Sequence, residues 1–504
     1  MGVIIRQSVK GTVINYVGVA IGAITTLFVL TRFLTTEEIG LTRVLIEAAT
    51  MLSGLAQLGT TSSILRYYPY FKGQGNKDNG FFFWTLIIPI IGIVIFGLLF
   101  IMLKSSITDY FSDNSPLFNN YVFYVLPLAV SMVYMSVFES NSNVLMSIAV
   151  PKFVREILIR MLLLVVYLLY AFKVLNINGF VAAFCLAYFI AMIVDGIYLL
   201  FFKKIKFKPD TSYLTKHIVK DYFSYTSFLI VGAVAGIITP FLNTFFISAE
   251  MGLSFTGIYA IAVFISSVVD IPFRSLGAIS QPQISQSVKN HDIDEVNKLC
   301  KNVSLHQLII GSLLFSLIWF NTDAIFQFIP KGDIYASGKS VVFILGLYKL
   351  TTSTLSIGTT VLTYSKYYYY SLLFTFVMTA GAIYLNYSLI PLYGMNGAAM
   401  ATLLSNILFY VLILLFNKIK FNTSPFSWKQ CMVLLILAGM FVINQLWDVF
   451  ITNNIINADS SLLLVATNAL SKSAIILSVA VFTIYKLKIS TYINRIIDKR
   501  IRRA

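Results

Sequence analysis

About fourteen stretches of this chain are apolar and long enough to cross a lipid bilayer, which takes roughly 20 mainly apolar residues per helix. Only 12% of the residues are charged, and the mean hydropathy is +0.82. Soluble domains are about a quarter charged, so this chain has too few charges to cover a surface that faces water. These features predict an all-α integral membrane protein whose main solvent is lipid.

The first apolar stretch follows Arg6 and Lys10, as in a signal peptide. It is too long for a signal peptide and lacks a small-residue cleavage site, so we expect it to remain as a span. The stretch at 157–172 is short and begins among charged residues. The predicted spans are 11–31, 41–64, 81–103, 121–149, 157–172, 179–202, 223–247, 254–279, 303–320, 340–362, 369–390, 395–416, 430–447 and 462–485.

Two sequence patterns occur twice in the chain, in the same order. The first reads T-R-F-L-T-T-E-E-I-G-L at 31–41 and N-T-F-F-I-S-A-E-M-G-L at 243–253. The second begins at Tyr167 in one copy and at Tyr384 in the other. Internal repeats of membrane segments are typical of transporters, so we predict a duplicated six-helix unit.

Lysine and arginine are distributed unevenly between the two sides of the predicted membrane. With the N-terminus in the cytoplasm, the inside segments hold about 27 of them and the outside segments about 5. We therefore predict that both termini are cytoplasmic, and that the net charge of +16 faces anionic lipid rather than nucleic acid. The predicted parts are a first lobe at 1–202, a cytoplasmic linker at 203–222, a second lobe at 223–418, and two further helices with a basic tail at 419–504.

The connections between the spans leave little room for chemistry in water. No loop is longer than about 25 residues, and the sequence has no Walker-type phosphate loop. The three cysteines, Cys185, Cys300 and Cys431, are far apart and lack metal-ligand spacing. We therefore expect no enzyme activity, no catalytic residue, no metal and no cofactor. A Na⁺ or H⁺ gradient is the energy source that we consider.

Ionisable side chains within the spans are the candidates for function, because each costs about 2.5–3.5 kcal/mol at membrane depth unless it meets a partner or water. Arg43 and Glu47 are four residues apart on one helix face, and so are Asp270 and Arg274. Each pair is either an internal ion pair or a cation exposed to a cavity, and the sequence leaves both readings open. The full set is Arg43, Glu47, Glu139, Arg160, Asp195, Asp270, Arg274, Lys349 and Lys472.

Lys349 has no acid near it in sequence, and four hydroxyl residues follow it at 351–354. We expect Lys349 to be unpaired and to face a polar cavity. Pro272 predicts a kink or break in the helix that carries Asp270. The predicted substrate ligands are Arg43, Arg274, Lys349, Asn141 and Asn143. The predicted acids for sensing a coupling cation are Glu47, Glu139, Asp195 and Asp270.

Three stretches carry a resemblance to a known group of proteins. They are F-L-T-T-E-E-I-G at 33–40, R-Y-Y-P at 66–69, and I-P-L-Y-G-M-N-G-A-A-M-A-T at 390–402. With the six-plus-six repeat and two extra helices, they resemble the multidrug/oligosaccharidyl-lipid/polysaccharide exporter superfamily, in particular its polysaccharide-transporter branch of O-antigen-type flippases. The resemblance implies two six-helix lobes in a V shape around a central cavity.

The resemblance also implies a function. An undecaprenyl-pyrophosphate-linked oligosaccharide would move across the bacterial cytoplasmic (inner) membrane by alternating access, for O-antigen of lipopolysaccharide, capsule or exopolysaccharide. Arg43, Arg274 and Lys349 suit the pyrophosphate. The expected partners are this lipid, the bilayer and other polysaccharide-assembly membrane proteins. A cation-coupled drug antiporter and a flippase of peptidoglycan precursors stay open as alternatives.

Overall fold

The structure is a computed structural model that describes residues 2–71, 80–202, 210, 215–452, 461–492, 494, 495 and 498. For residues 2–12, 228, 229, 231, 233, 271, 272, 274, 275, 278 and 279 it describes the backbone alone. The Arg274 side chain and much of the predicted linker at 203–222 therefore lie outside the described residues. Within the described ranges the chain is helical, with short turns and no strand.

Contacts divide the chain into two compact units, Met1–Ala260 and Ile261–Ala504. The helix that follows the linker thus groups with the first predicted lobe. Unit 1 contains α1 (Gly2–Ile24), α2 (Thr36–Ala56), α3 (Thr60–Phe71), α4 (Phe81–Met102), α5 (Lys104–Phe111), α6 (Pro116–Tyr121), α7 (Val125–Val144), α8 (Ala149–Phe153), α9 (Ile159–Ala171), α10 (Ile177–Ile197), α11 (Lys216–Ile238), α12 (Leu242–Glu250) and the start of α13 (Leu253–Ser267).

Unit 2 takes the rest of α13 and the helices after it. These are α14 (Ile271–Lys289), α15 (Ile293–Phe320), α16 (Thr322–Phe328), α17 (Gly332–Ala336), α18 (Lys339–Leu355), α19 (Ile357–Tyr364), α20 (Tyr368–Tyr393), α21 (Met395–Phe421), α22 (Trp428–Trp447) and α23 (Leu462–Lys486). π turns extend α1 at Thr25–Leu30, join α8 to α9 at Val154–Leu158, and extend α10 at Tyr198–Phe202.

The described helices account for the predicted spans. Eleven are long and apolar enough to cross a membrane, or twelve if α18 and α19, which meet at 44°, form one broken span. These twelve coincide with twelve of the predicted spans. The other two predictions, 157–172 and 223–247, fall on α9 and on α11 with α12, which are helical but are not among the twelve. The chain is a multi-span membrane protein.

Residues Thr35 and Glu38 define the start of α2. They form a capping box, in which the Thr35 hydroxyl accepts from the Glu38 amide at 3.2 Å and Glu38 Oε2 accepts from the Thr35 amide at 2.8 Å. The Tyr170 hydroxyl of α9 donates to the other carboxylate oxygen of Glu38. This capping fixes the entry of the chain into α2 and attaches α9 to the same end.

Two glycines mark the closest approach of α2 to α13. A Cβ on Gly40 would lie 2.0 Å from the Leu253 carbonyl oxygen, and a Cβ on Gly257 would lie 2.0 Å from the Thr36 carbonyl oxygen. Each glycine is the fifth residue of its helix, and each faces the first residue of the other helix. Backbones can approach this closely only where the side chain is a hydrogen atom. The reciprocal contact is what we would expect if α2 and α13 are equivalent elements of the predicted repeat.

From this contact we infer a different, corrected register for the first predicted repeat. Aligning 31–41 with 243–253 pairs Gly40 with Gly252, but the structure pairs Gly40 with Gly257, a spacing of 217 residues (257 minus 40). The second pattern, from Tyr167 to Tyr384, has the same spacing (384 minus 167). Gly252 instead lies in the turn before α13 with φ +95°, a conformation that favours glycine.

A short turn interrupts the chain where Pro272 predicts a break. The residues Val268–Asp270 form a 3₁₀ turn between α13 and α14, and Pro272 stands in the first turn of α14. Proline is tolerated there because its missing N–H has no helical partner to lose. The prediction of a broken helix is confirmed, and the break directs Asp270 towards α18, as described below.

Aromatic side chains hold the last two helices of unit 2 in place. Phe343 of α18 packs against Phe315 and Trp319 of α15 and against Phe441 of α22, with ring centroids 4.6–6.3 Å apart. Met440 of α22 lies in the same buried cluster as Ile476 and Ala480 of α23. The helices that follow the duplicated unit are therefore packed onto α15.

Candidate functional site

Arg43 and Glu47 form the ion pair that their spacing on α2 allows, between Arg43 Nε and Glu47 Oε1. Glu47 is 3% exposed, whereas the Arg43 side chain is 40% exposed. Arg43 lies seven residues beyond the start of α2, or about 10 Å along the helix at 1.5 Å per residue. An arginine exposed at this depth requires water rather than lipid around its charge. The ion pair of the first reading is therefore present, and the second reading, a cation that faces a cavity, stays a prediction.

Glu139 of α7 belongs to a chain of charges that extends to α1. Arg155, in the π turn Val154–Leu158, binds Glu139 at 2.7 Å and lies 3.6 Å from Glu156. Glu156 binds Arg160 of α9 at 3.1 Å, and Arg160 also donates to the Gly18 carbonyl oxygen of α1. Glu139 is therefore neutralised by a partner that is 16 residues away in sequence. The helical spacing of neighbouring residues could not predict this partner.

Asp195 of α10 has a different environment. It is 1% exposed, and its Oδ1 has no hydrogen-bond partner among the described residues. The charges that act on it are those of Glu139 and Arg155. Asp195 is thus a buried acid beside an ion pair that it does not join.

The two predicted asparagine ligands occupy different positions. Asn141 is 2% exposed, and its amide donates to Thr85 Oγ1 of α4 at 3.1 Å, so it joins two helices. This hydrogen bond uses one of the two amide N–H donors of Asn141, and its burial leaves little of the side chain accessible to a ligand. Asn143 is half-buried, with its side chain more accessible than that of Asn141. Of the two, Asn143 is the better placed to meet a substrate.

In unit 2, Lys349 of α18 forms an ion pair with Asp270. Lys349 Nζ lies 2.6 Å from Asp270 Oδ2, and the two side chains are 22% and 11% exposed. The expectation of an unpaired lysine is wrong, because the 3₁₀ turn at Val268–Asp270 brings an acid from 79 residues earlier in the chain. Lys349 Nζ also lies 5.1 Å from the centroid of the Tyr348 ring. An ammonium group has three donors, and Asp270 uses one of them.

The hydroxyl run after Lys349 is largely used within its own helix. Thr351 donates to the Leu347 carbonyl oxygen, and Ser353 and Thr354 donate to that of Leu350. Thr352 differs, because its buried Oγ1 has no hydrogen-bond partner among the described residues. The run therefore contributes less polar lining than its composition predicts.

An apolar groove runs between α22 and α23, the two helices that follow the repeat. Its volume is about 410 Å³. Trp428, Leu435 and Gly439 line one wall, and Val479 and Leu487 line the other. Gly439 has no atom within 4 Å of a Cβ position, so the groove is open beside it. Its lining suits an acyl or isoprenoid chain.

Lys472 of α23 is held at one end of the same helix pair. Its Nζ donates to the Phe320 carbonyl oxygen of α15 and lies 3.2 Å from Asp448 Oδ1. Asn444 donates to the second carboxylate oxygen of Asp448 at 3.0 Å. Sequence reasoning missed Asp448, because the predicted span ends one residue before it. Lys472 is thus an anchor between α15, α22 and α23.

Known proteins resemble this chain in sequence and in fold. The family described as polysaccharide biosynthesis protein matches residues 8–288, more than half of the chain. No curated protein matches the sequence. The chain is similar to a solved structure described as lipid II flippase MurJ in an inward closed conformation, with a TM-score of 0.71 and 13% identity over 93% of this chain and 98% of that one.

Two solved transporter structures are also similar. An inward-facing multidrug resistance MATE family transporter of the MOP superfamily has a TM-score of 0.63 and 14% identity, over 80% of this chain and 94% of that one. An outward-facing one has a TM-score of 0.54 and 14% identity, over 83% and 95%. Identities this low show the fold alone. The chain therefore belongs to the polysaccharide biosynthesis protein family, and it shares the fold of these MurJ and MATE transporter structures.

Proposed function

We propose that this protein is a flippase that moves an undecaprenyl-pyrophosphate-linked oligosaccharide across the bacterial cytoplasmic membrane for surface polysaccharide synthesis. Membership of a polysaccharide biosynthesis family supports the glycan part of this proposal. The likeness to a protein described as a lipid II flippase supports a lipid-linked substrate. A substrate of this kind needs cations for the pyrophosphate, polar groups for the sugars and an apolar surface for the lipid.

The observation that carries the proposal is the exposure of Arg43. Its Nε binds Glu47, which fixes the side chain, while 40% of the side chain stays accessible at membrane depth. A guanidinium held in this way presents its terminal nitrogens as a fork, which matches two phosphate oxygens. Its pairing partner Glu47 is buried, so that a phosphate can approach without displacing it. Arg43 thus suits an anion that arrives and leaves.

Lys349 is the second proposed ligand, and its pairing changes how it would act. Asp270 takes one of its donors, and the other two are free to bind a phosphate oxygen while the pair stays intact. A partner acid also lowers the cost of keeping this lysine in a span when no substrate is bound. Arg274 and Asn143 are proposed as further ligands on the sequence evidence.

The apolar groove between α22 and α23 is proposed to hold part of the lipid tail. Each buried CH₂ group contributes about 0.8 kcal/mol when it leaves water, but a tail already in lipid gains little by moving into a groove. The groove would therefore guide the tail rather than provide affinity. Affinity would come from charged contacts to the pyrophosphate, which are the contacts that distinguish substrate from bulk lipid.

The test is a transport assay in proteoliposomes that contain a polyprenyl-pyrophosphate-linked oligosaccharide with a labelled sugar. A membrane-impermeant glycosidase reports how much of the lipid has reached the accessible leaflet. Arg43→Gln should lower the flipping rate at least tenfold, whereas Arg43→Lys should keep part of it because the charge remains. Lys298→Gln is the matched control, because Lys298 is 69% exposed and pairs with Glu295 of the same helix, α15.

The alternatives are separate arms of the same assay. If the protein moved lipid II but not polyprenyl-linked oligosaccharides, the peptidoglycan-precursor function would replace our proposal. If it moved neither lipid but expelled a cationic dye, it would be a drug antiporter. Normal flipping by both Arg43→Gln and Lys349→Gln would show that the pyrophosphate is bound elsewhere.

A further inference from the structure

The most deeply buried acid that the proposed substrate site does not use is Asp195. It is 1% exposed in the candidate span Ile177–Phe202, and its Oδ1 lacks a hydrogen-bond partner among the described residues. The residues one turn away on either side of it, Ala191 and Leu199, are apolar and buried. An ionised carboxylate without a partner is very unfavourable in such surroundings, so the group must bind a positive charge or carry a proton.

The helices packed on α10 supply few charges to Asp195. Those that act on it are Glu139 from α7 and Arg155 from the π turn Val154–Leu158. Arg155 is already paired with Glu139, so it does not neutralise Asp195 by a direct contact. The other titratable groups on these elements are Glu156, which is paired with Arg160, and the tyrosines Tyr124, Tyr134, Tyr167 and Tyr170, with Tyr198 in the π turn that extends α10.

The surroundings of Asp195 favour a proton over a metal cation. Hard cations such as Ca²⁺ and Mg²⁺ take about six or more oxygen ligands. Among the described residues, no group of three or more histidine, cysteine, aspartate or glutamate side chains is placed to hold a metal. A protonated carboxyl group, by contrast, needs no further ligand and no net charge in the apolar interior.

A route for exchange with water lies beside the buried acid. Glu139 is 21% exposed and its partner Arg155 is 53% exposed, so exposure rises stepwise from Asp195 outwards. Arg155 stands in a π turn, a wide helical turn that is common at functional sites. A small change in this turn would move the Arg155 charge relative to both carboxylates.

We propose that Asp195 reversibly binds a proton, that Glu139 passes the proton to and from water, and that Arg155 sets the occupancy by its distance from the two acids. In the step itself, the O–H bond of the Asp195 carboxyl group breaks, the proton moves to a Glu139 carboxylate oxygen, and Asp195 is left ionised. The use of this proton to drive transport rests on the proposed function, whereas the binding of the proton does not.

Infrared difference spectroscopy on the reconstituted full-length protein, recorded between low and high pH, tests the proton site directly. The wild type should show the C=O stretch of a buried protonated carboxyl group, and Asp195→Asn should lack it. Asp323→Asn is the matched control, because Asp323 is 71% exposed and pairs with Lys339 at the start of α18. A band unchanged by Asp195→Asn would overturn the proposal.

Two further variants separate a proton site from a merely structural acid. Arg155→Gln removes a positive charge and should move the midpoint of the band to higher pH, by about one pH unit. Glu139→Gln removes a negative charge and should move the midpoint to lower pH. If the two variants moved the midpoint of the band in the same direction, or did not move it, the proposed arrangement would be contradicted. A midpoint that moved with Na⁺ concentration at constant ionic strength would identify a sodium site instead.

Transport assays then test the coupling. Proteoliposomes with Asp195→Asn should flip substrate at a rate that no longer responds to an imposed pH gradient. If the wild type showed the Asp195 band but flipped no lipid-linked oligosaccharide, the proton site would stand and the proposed function would fail. If the wild type flipped the lipid but showed no Asp195 band, the function would stand and this inference would fail.

Discussion

Replacing Gly40 by alanine tests the contact between α2 and α13 most directly. The new Cβ would lie 2.0 Å from the Leu253 carbonyl oxygen, whereas ordinary contacts are 3.4 Å or more. The atoms that the new Cβ would meet belong to the backbone of Leu253, so the clash cannot be relieved by moving a flexible side chain. The two helices must therefore separate by about 1.4 Å at this point, or α2 must bend.

The expected cost follows from this displacement. Overpacking of this kind typically costs about 1–3 kcal/mol. Separating the helices also weakens contacts made at the same end, where the Ser115 hydroxyl donates to the Ser248 carbonyl oxygen at 2.6 Å. Alanine returns up to about 1 kcal/mol, because it is the better helix former. We therefore expect a net loss of about 1–2 kcal/mol for Gly40→Ala.

The matched control is Gly97→Ala on α4, where the nearest atom to the new Cβ would be 3.9 Å away. Alanine fits there without displacement, so this variant should equal the wild type in stability or exceed it. Thermal unfolding of the purified proteins in detergent, followed by size-exclusion chromatography, compares the two variants. Gly40→Ala should melt a few degrees below Gly97→Ala.

Gly257→Ala should behave like Gly40→Ala, because the Thr36 carbonyl oxygen opposes it at the same 2.0 Å. The double variant should cost less than the sum of the single ones, since one displacement relieves both clashes. Melting of Gly40→Ala at or above the temperature of Gly97→Ala would refute the close approach of these backbones. It would also remove the evidence for the corrected repeat register.

Three other outcomes are expected. Lys349→Ala should abolish flipping in the proteoliposome assay, and it should lower stability because it leaves Asp270 unpaired. The double variant with Asp270→Asn should recover membrane-inserted protein but not transport. Lys472→Ala should destabilise the protein by about 2 kcal/mol in detergent melting, because it leaves the Phe320 carbonyl oxygen and Asp448 without their cation. Cysteine placed at Lys208, which lies outside the described residues, should resist membrane-impermeant thiol reagents in intact cells, because the charge bias puts that loop in the cytoplasm.

The helices of this protein could be predicted from sequence with little loss. Apolar length alone places twelve of the fourteen predicted spans on helices able to cross a membrane, with α18 and α19 counted as one span, since a backbone in lipid must satisfy its own hydrogen bonds. Boundaries set by caps were harder to place. The predicted span 303–320 actually begins at Ile293, because Asp292 caps a polar turn that precedes the apolar run. A hydropathy profile does not reveal a polar first turn, whereas a capping residue indicates where the helix begins.

The partners of the buried charges could not be predicted in the same way. Spacing of four residues correctly paired Arg43 with Glu47, because both lie on one helix. Lys349 with Asp270, and Arg155 with Glu139, are pairs between helices. Their formation depends on a 3₁₀ turn and a π turn, which shift side chains around the helix axis. Pro272 indicates the break at the 3₁₀ turn but not the partner that this break brings to Lys349, and helical periodicity contains no signal for the π turn.

Ion pairs within one helix and ion pairs between helices allow different functions. An acid and a base joined between helices fix the packing of those helices, and a change of partner there would require the helices to move. Arg43 and Glu47 share one helix, so their pair places no such constraint and leaves the guanidinium accessible. Asp195 Oδ1 has no hydrogen-bond partner among the described residues. Substrate and proton would therefore act at different residues, Arg43 and Asp195, and any coupling between them must pass through the helices of unit 1 that carry both.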